Sequence, residues 1–412
     1  ASVAMFVLLD TLLLRSIKVA SPEELVHISR LNKQNRSEPF PLEFVRALRE
    51  EEMFRGVCGF ETPYTAVELA GQVATRATHG VTGDCFATLG VRAAAGRLFG
   101  EEADQAGAER VAVLTFDTWQ LLGGGANVLG SLVKVNDTTF TIVGVTEAGF
   151  GGLVLGFPPA VIFPSSQLTR SGGVAQTTWS TVFARRADDV AIGAIHERLK
   201  VIWPRLLAVS VPPGLSEARR SSYLDSDVRV TSAATGTDYM LRARFGRPVM
   251  ALFVLGLIVL IVALVNVAHL VLSRFTARQG DFALRLALGA NRRHLVADAA
   301  REAVLLVMVG GGAGIVFAIA ANRGLVSLLA LQYPGFALDT TPGTTAWLTV
   351  AAAAISSHLM FVLLPAARAG RLDTSALGAT SHRLLGGIAV AGRAMNASPR
   401  AGTEVRSPKS GA

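Results

Sequence analysis

Charged residues are scarce in this chain, and the shortage is greatest towards its C-terminal end. Only 17% of the 412 residues are charged while half are hydrophobic, and residues 248–273 contain no Asp, Glu, Lys or Arg. Soluble domains carry about a quarter charged residues, so the composition argues against a chain that is soluble throughout. A helix needs about 20 mostly apolar residues to cross a bilayer, and this run therefore predicts a membrane-spanning helix.

Cysteine is almost absent as well, with Cys58 and Cys85 the only two in the sequence. Both fall in the more hydrophilic part of the chain. They either form one disulfide or remain two buried thiols, and the sequence leaves both readings open. No Cys and His cluster has the spacing of metal ligands, and no Ser, His and Asp set stands out. We therefore expect no metal, no cofactor, no catalytic residue and no enzyme activity.

Residues 125–131 resemble a phosphate-binding loop only in their first and second glycines. Such a loop needs Lys directly after the second glycine, because the ammonium group reaches the phosphates. Here Ser131 follows Gly130, and the nearest lysine is Lys134. The segment predicts a tight turn, so ATP hydrolysis linked to this chain would belong to a partner subunit.

Four apolar segments organise the chain. Residues 1–19 predict the end of a first span that is cut off upstream, and we therefore expect the sequence to be a fragment of a longer protein. The further spans are expected at about 248–273, 303–321 and 347–364.

The segments between and after these spans differ in character. Residues 20–236 have mixed charges and frequent Gly and Pro, which is typical of a folded domain outside the bilayer. Residues 237–380 are then the membrane domain. Residues 381–412 form a cytoplasmic tail whose final stretch is rich in Ser, Gly, Pro and Arg, and we expect it to be disordered.

Basic residues predict the orientation of the spans, because short cytoplasmic loops carry an excess of Arg and Lys. The connection between the second and third spans and the tail after the fourth are rich in arginine, whereas the loop around Tyr333 is nearly uncharged. We therefore place the connection and the tail in the cytoplasm and residues 20–236 outside. The net charge of +8 largely reflects these flanking arginines and is a weak signal for nucleic acid binding.

The extracytoplasmic domain is predicted to mix strands and helices. Residues 139–145 are rich in β-branched residues, which is typical of a strand, and Asn136 with Asp137 predicts a hairpin turn before it. Residues 190–203 have apolar side chains at helical spacing, and Pro204 is expected to end or kink this helix. The expected fold class is membrane α-helical with four spans, the first truncated, and an α+β extracytoplasmic domain inserted between spans one and two.

The cytoplasmic connection carries the strongest functional motif, residues 281–290 (DFALRLALGA). Asp281 can cap a short helix, and Gly289 suits a left-handed stop at its end. Such a helix either lies in the lipid interface or docks on a cytoplasmic partner, and the residues alone support the two equally. The candidate docking residues are Asp281, Phe282, Leu284, Arg285, Leu288, Gly289 and Ala290.

At this motif the chain resembles the MacB/FtsX-type ABC transporter permeases. The membrane part resembles an FtsX-like permease domain, and the extracytoplasmic part resembles a MacB-like periplasmic core domain. Asp281 and His269 stand where the family usually has Glu and Asn. The whole is similar to one half of the acidobacterial-type duplicated orphan permeases. The matching segments are 81–91 (VTGDCFATLGV), 140–145 (FTIVGV), 149–153 (GFGGL), 266–274 (NVAHLVLSR) and 278–290 (RQGDFALRLALGA).

The resemblance implies a multi-pass permease subunit in the cell inner membrane with its large domain outside. It implies that a cytoplasmic ABC ATPase drives motion of that domain for efflux or export. An orphan permease, by contrast, lacks a neighbouring ATPase. A second permease half or a second copy would complete the assembly. Membrane lipids are expected partners, and nucleic acid is not. The alternative is a membrane scaffold or signalling protein that regulates an extracytoplasmic hydrolase or lipoprotein without transport.

Overall fold

The computed structural model describes residues 6–7, 9–168, 178–179, 181–187, 190–237, 241–277, 292–332 and 335–338, together with 341, 343, 344, 347, 348, 351, 352 and 355. The chain divides into two compact units. The first comprises Ala1–Leu257 and Gly314–Trp347, and the second comprises Ile258–Ala313 and Leu348–Ala412.

The helices of the described residues are α1 Leu42–Arg49, α2 Cys85–Leu89, α3 Phe116–Leu121, α4 Ile192–Val209, α5 Glu217–Leu224, α6 Leu241–Ala277 and α7 Arg292–Gln332. Asp10–Leu14 is a π-helical turn, and short 3₁₀ turns lie at Pro22–Glu24, Glu101–Asp104, Ala126–Val128 and Ser165–Gln167. The 3₁₀ turn at Ala126–Val128 lies in the segment 125–131, for which a tight turn is predicted.

The strands belong to the first unit. They are β1 Leu25–Leu31, β2 Ser37–Glu38, β3 Phe40–Pro41, β4 Phe54–Glu61, β5 Tyr64–Leu69, β6 Gln72–Val81, β7 Ala93–Gly96, β8 Val111–Leu114, β9 Leu132–Val135, β10 Thr138–Thr146, β11 Val161–Pro164, β12 Thr178–Trp179, β13 Thr181–Arg186 and β14 Asp227–Ser232. The main sheet has the order β11-β8-β10-β9-β5-β6-β4-β13-β1-β14.

Six of these strands close into a ring. β11 pairs with β6 as well as with β8, so that β11, β8, β10, β9, β5 and β6 surround one interior. Along β5 every second residue is buried, because one face of a closed sheet points inward. Phe140 and Phe163, whose ring centroids lie 5.3 Å apart, help to fill the interior. The predicted hairpin is confirmed, since β9 turns into β10 at Asn136 with a φ of 51°.

The other four strands, β4, β13, β1 and β14, form an open sheet that continues from the ring through the pairing of β4 with β6. Successive residues of a strand point to opposite faces. Val182 packs on one face with α1 and α4, and Phe183 packs on the other face with α2. Phe40, Phe44 and Trp203 give the first face an aromatic centre with perpendicular ring contacts.

Helix α4 continues through Pro204 to Val209, so this proline does not end the helix, and the kink stays a prediction. A proline inside a helix costs about 3 kcal/mol, because it removes one backbone hydrogen bond and crowds the preceding turn. Leu206 and Leu207, which lie beyond it, are almost fully buried in the core of the open sheet. Burying two such side chains contributes about 4 kcal/mol, which offsets the cost.

The two cysteines form a disulfide, which decides between the two readings of the sequence. Cys58 on β4 and Cys85 at the start of α2 have Cα atoms 4.5 Å apart. Both side chains are buried. The bond fixes the short helix α2 on the open sheet.

The two long helices have the composition of membrane spans. Helix α6 contains the window Gly246–Ala263 with a mean hydropathy of 2.4, and α7 contains Met308–Leu331 with a mean hydropathy of 1.8. Helix α6 begins at Leu241 and passes through Pro248, so it is longer at both ends than the uncharged run at 248–273. Among the described residues these are the two helices long and apolar enough to cross a membrane.

Candidate functional site at the junction with the membrane helices

The predicted docking motif lies outside the described residues. Asp281, Phe282, Leu284, Arg285, Leu288, Gly289 and Ala290 all fall between α6 and α7, where the structure describes nothing. Within the described ranges, no group of three or more His, Cys, Asp and Glu side chains could hold a metal ion. The site that the structure does show is at the other end of the spans, where they meet the extracytoplasmic domain.

Three segments join this domain to apolar helices. We call residues 15–24 the first connector, because they follow the π-helical turn of the first apolar segment and run into β1. Residues 233–237, between β14 and α6, are the second connector. Residues 335–338, after α7, are the third connector. Each of the three is held by contacts in the first unit, and together they form the junction.

The second connector is bonded to the loop between β10 and β11. Thr237 donates its backbone N–H to the carbonyl of Leu153 at 2.9 Å, and Leu155 donates to the carbonyl of Thr237 at 3.3 Å. Gly236 has a φ of 76°, and a side chain there would lie 2.9 Å from the Leu153 oxygen. A glycine is therefore required for this approach. The contact fixes the segment that leads into α6.

His79 on β6 supports the same loop from the ring. Its Nε2 atom accepts a hydrogen bond from the Leu153 N–H at 3.2 Å, and its Nδ1 atom lies 3.1 Å from the carbonyl of Thr78 and 3.1 Å from the hydroxyl of Thr62. The side chain is fully buried, and burial lowers its pKa to about 4. The imidazole is therefore neutral at pH 7, with its proton on Nδ1 and its Nε2 free to accept.

The third connector packs on the same loop through aromatic rings. Phe336 is buried and meets Phe157 edge to face, with centroids 5.6 Å apart. Phe157 in turn meets Tyr64 at the start of β5, with centroids 5.7 Å apart. Ala337 donates its N–H to the carbonyl of Gly156 at 3.0 Å. The remaining neighbours of Phe336 are Leu155, Val249, Val326, Leu329, Ala330 and Leu338.

The first connector contacts the second connector and, beyond the third connector, Thr341. Ile17 donates its backbone N–H to the carbonyl of Ala234 in the second connector at 2.9 Å. Arg15 forms an ion pair with the buried carboxylate of Asp10 at 3.3 Å and donates to the carbonyl of Thr341 at 2.8 Å. Directional bonds thus join the segments that flank the apolar helices in the sequence.

The junction combines backbone hydrogen bonds, one ion pair and aromatic contacts. Its polar contacts are mostly backbone hydrogen bonds, and its buried histidine is neutral and hydrogen-bonded on both sides. Several directional bonds thus hold each connector on the folded domain. Sequence reasoning missed His79 and Phe336, since a lone histidine in a strand and one phenylalanine in a loop carry no motif. The GFGGL segment, 149–153, was the one signal near this loop.

Comparison with known families gives two matched regions. Residues 1–202 match the model of the MacB-like periplasmic core domain, and residues 253–374 match that of the FtsX-like permease C-terminal region. The two matched regions occupy most of the chain and are separated by residues 203–252, which include the start of α6.

Two curated relatives illustrate the similarity. The pyoverdine export ATP-binding/permease protein PvdT of Pseudomonas syringae pv. tomato is 28% identical over 277 residues, which are 66% of this chain and 38% of that protein. The macrolide export ATP-binding/permease protein MacB 1/2 of Paracoccus denitrificans is 26% identical over 311 residues, which are 75% of this chain and 42% of that protein. The chain thus spans about two fifths of the length of these relatives.

Among solved structures, the periplasmic region of MacB from Actinobacillus actinomycetemcomitans is 14% identical, with a TM-score of 0.39. The superposition covers 52% of this chain and 90% of that structure.

Proposed function

Since the chain belongs to the MacB/FtsX-type ABC permeases, with a MacB-like periplasmic core domain and an FtsX-like C-terminal region, we propose that it couples ATP hydrolysis by a partner to motion of its extracytoplasmic domain. The process served is efflux or export. The ATPase activity resides in the partner, as a separate subunit or a domain outside this sequence.

The observation that carries the proposal is the junction. The first and second connectors bond to each other through Ile17 and Ala234, and the second connector bonds to the ring through Thr237 and Leu153. The third connector packs on the same loop through Phe336. A displacement of any span therefore moves folded structure and is not absorbed by a loose linker.

The proposal includes a division of the chain and an assembly. Residues 1–19 end a first span, 20–236 are the periplasmic core domain, 237–380 are the permease domain, and 381–412 are a cytoplasmic tail. Four spans cross the inner membrane, including those at about 303–321 and 347–364. A second copy or a second permease half completes the transporter, in contact with lipid and without nucleic acid.

At the cytoplasmic end, the helix expected at residues 282–288 is proposed to dock on the ATPase. Burying two or three of its apolar side chains contributes about 2 kcal/mol each before the cost of association. Arg285 adds a charge-assisted hydrogen bond to an acidic groove. Leu288 is the residue whose replacement tests this surface, because it lies next to Gly289 at the end of the helix.

The test is co-purification of a candidate ATPase with the full chain, followed by measurement of ATPase stimulation. Leu288→Asp is expected to abolish capture and stimulation while membrane insertion is unchanged. Ala277→Asp is the matched control, because it adds the same charge to the exposed end of α6 outside the motif. Equal stimulation by wild type and Leu288→Asp would refute the docking helix. If neither captures an ATPase, the scaffold or signalling function is favoured over transport.

A further inference from the structure

Arg185, on β13 of the open sheet, lies where the first connector meets helix α2. Its side chain is largely buried, with 11% of its surface exposed, and it is paired with Glu24 at 2.8 Å. In the sheet its backbone stands opposite Leu25 of β1 and Gly56 of β4. The residue is therefore held rigidly by strands on both sides.

Every donor of the guanidinium group has an acceptor. Arginine offers five N–H donors in a planar fork. The Nε atom donates to the carbonyl of Thr88 at 2.8 Å. The Nη1 atom donates to Glu24 at 2.8 Å and to the carbonyl of Ser21 at 3.1 Å. The Nη2 atom donates to the carbonyls of Ala20 at 2.6 Å and Leu89 at 3.3 Å.

The acceptors belong to two different segments. Ala20, Ser21 and Glu24 are in the first connector, while Thr88 and Leu89 are at the end of α2. Carbonyls at a helix end have no partner within the helix, and a cation is favourable there. One side chain thus joins the connector, the helix and the sheet.

Helix α2 is itself fixed to the sheet at its other end. The disulfide from Cys85 reaches Cys58 on β4. A side chain at Gly56 would lie 2.6 Å from the hydroxyl of Thr88, so only glycine lets the helix approach the strand this closely. The acceptors of Arg185 on α2 therefore cannot shift independently of the sheet.

We propose that Arg185 is the positioning residue through which displacement of the first span reaches the open sheet, a role that rests on the proposed function. The first connector is only ten residues long, and Arg185 holds three of them. Without this side chain the connector keeps the backbone bonds of Ile17 to Ala234 and of Ala20 to Leu89. The connector would then stretch when the span moves, and the sheet would not follow.

Hydrogen–deuterium exchange of the full chain in nanodiscs tests the contact. Arg185→Gln is expected to speed exchange in peptides covering residues 16–24 by about tenfold or more, because charge-assisted hydrogen bonds are lost. Exchange at residues 57–60 in the core of the sheet should not change. The control is Arg186→Gln, since Arg186 is the next residue of the strand and donates to the carbonyl of Val190 instead.

A double-substitution experiment separates transmission from simple stabilisation. Arg15→Gln disturbs the start of the connector and should raise exchange at residues 86–92 about threefold when Arg185 is present. In the Arg185→Gln background, Arg15→Gln should leave exchange at 86–92 unchanged. Additive effects of the two substitutions would overturn the proposal, because they would show that the two ends do not communicate through Arg185.

Unchanged exchange at residues 16–24 in Arg185→Gln would also overturn it. Arg185→Lys keeps the charge but not the fork, and it should release the connector while residues 57–60 stay protected. If both variants lose protection at residues 57–60, Arg185 is a general stability residue and the proposal is wrong. The experiment uses no ATPase, so its failure is distinct from failure of the co-purification that tests the proposed function.

Discussion

The open sheet and the ring are attached to the membrane helices in different ways. The open sheet is continuous with the first two connectors, because the first runs into β1, the second leaves from β14, and these strands are neighbours. The ring is formed by chain between β4 and β13 and has no such covalent connection. Its contacts with the connectors include those of Leu153 with Thr237 and of Phe157 with Phe336, both from the loop between β10 and β11.

This difference in attachment bears on how the open sheet and the ring would each move with the apolar helices. Under the proposed function the open sheet would follow the first apolar segment and α6, since backbone joins them and Arg185 holds the first connector. The ring keeps its shape because it is closed and has its own core, and a closed sheet has no free edges. Its position depends on side-chain and backbone contacts that can change. Under the proposed function, relative motion of the apolar helices would therefore move the ring against the open sheet.

The largest expected effect comes from the disulfide, which fixes α2 on the open sheet. Cys58→Ala combined with Cys85→Ala should lower the free energy of unfolding by about 3 to 4 kcal/mol for a loop of this length. Thermal unfolding of the full chain in detergent measures it. An unchanged unfolding temperature would show that packing alone holds α2.

His79→Leu removes the support that the ring gives to the loop at Leu153. The Leu153 N–H is then buried without an acceptor, and we expect a loss of about 2 kcal/mol at pH 7. Exchange at residues 152–157 should rise more than exchange at residues 57–60 of the open sheet. Equal loosening of both regions would contradict a separate attachment of the ring.

The same histidine predicts a pH dependence. Its pKa falls from 6.5 in the unfolded chain to about 4 in the fold, so stability present above pH 6.5 is lost as pH falls towards 4. Between pH 7 and pH 5 the loss is about 2 kcal/mol, because only the unfolded imidazole binds a proton. His27, whose pKa burial also lowers to about 4, acts in the same direction.

Asp84 acts in the opposite direction, because burial raises its pKa to about 6 against the attraction of Arg49. Comparing wild type with His79→Leu at pH 7 and pH 5 isolates the histidine. The variant should lose less stability on acidification than wild type does. Identical losses would show that His79 is not the neutral, buried group described.

A smaller effect is expected at the third connector. Phe157→Ala and Phe336→Ala should show a coupling energy of about 1 kcal/mol in a double-mutant cycle, as edge-to-face rings do. The cycle is read from thermal unfolding, with Phe116→Ala paired with Phe336→Ala as a control, since Phe116 packs on Trp119 instead. A coupling energy of zero would separate the ring from the third connector.

The smallest effect is expected on the outer surface of the ring. Val73 and Leu132 are 69% and 64% exposed, so replacing either with Thr should change the free energy of unfolding by less than about 0.5 kcal/mol. Thermal unfolding checks this result. A larger loss would show that this surface is covered, and the ring would then have a further attachment.

Local patterns predicted the local structure well. The uncharged run at 248–273 predicted a span that lies within α6, and Asn136 with Asp137 predicted the hairpin between β9 and β10. Both signals are contained in a few neighbouring residues, so tertiary structure did not need to be known.

Long-range contacts were out of reach of the sequence. The ring closes through the pairing of Val161 with Thr78, which no local pattern indicates. The disulfide depends on a Cα distance that only the fold sets. Pro204 does not end α4, because the buried residues beyond it outweigh its local cost. Arg185 meets residues more than 90 positions away, so its role appears only in three dimensions.

Two distances in the full chain test the central claim most directly. Spin labels at Ser16 and Lys33 measure the first connector against the open sheet, and labels at Lys33 and Lys134 measure the open sheet against the ring. Double electron–electron resonance is recorded with a captured ATPase, before and after ATP is added. We predict that the distance between Lys33 and Lys134 changes while that between Ser16 and Lys33 does not. A constant distance between Lys33 and Lys134, or a changed one between Ser16 and Lys33, would contradict the account.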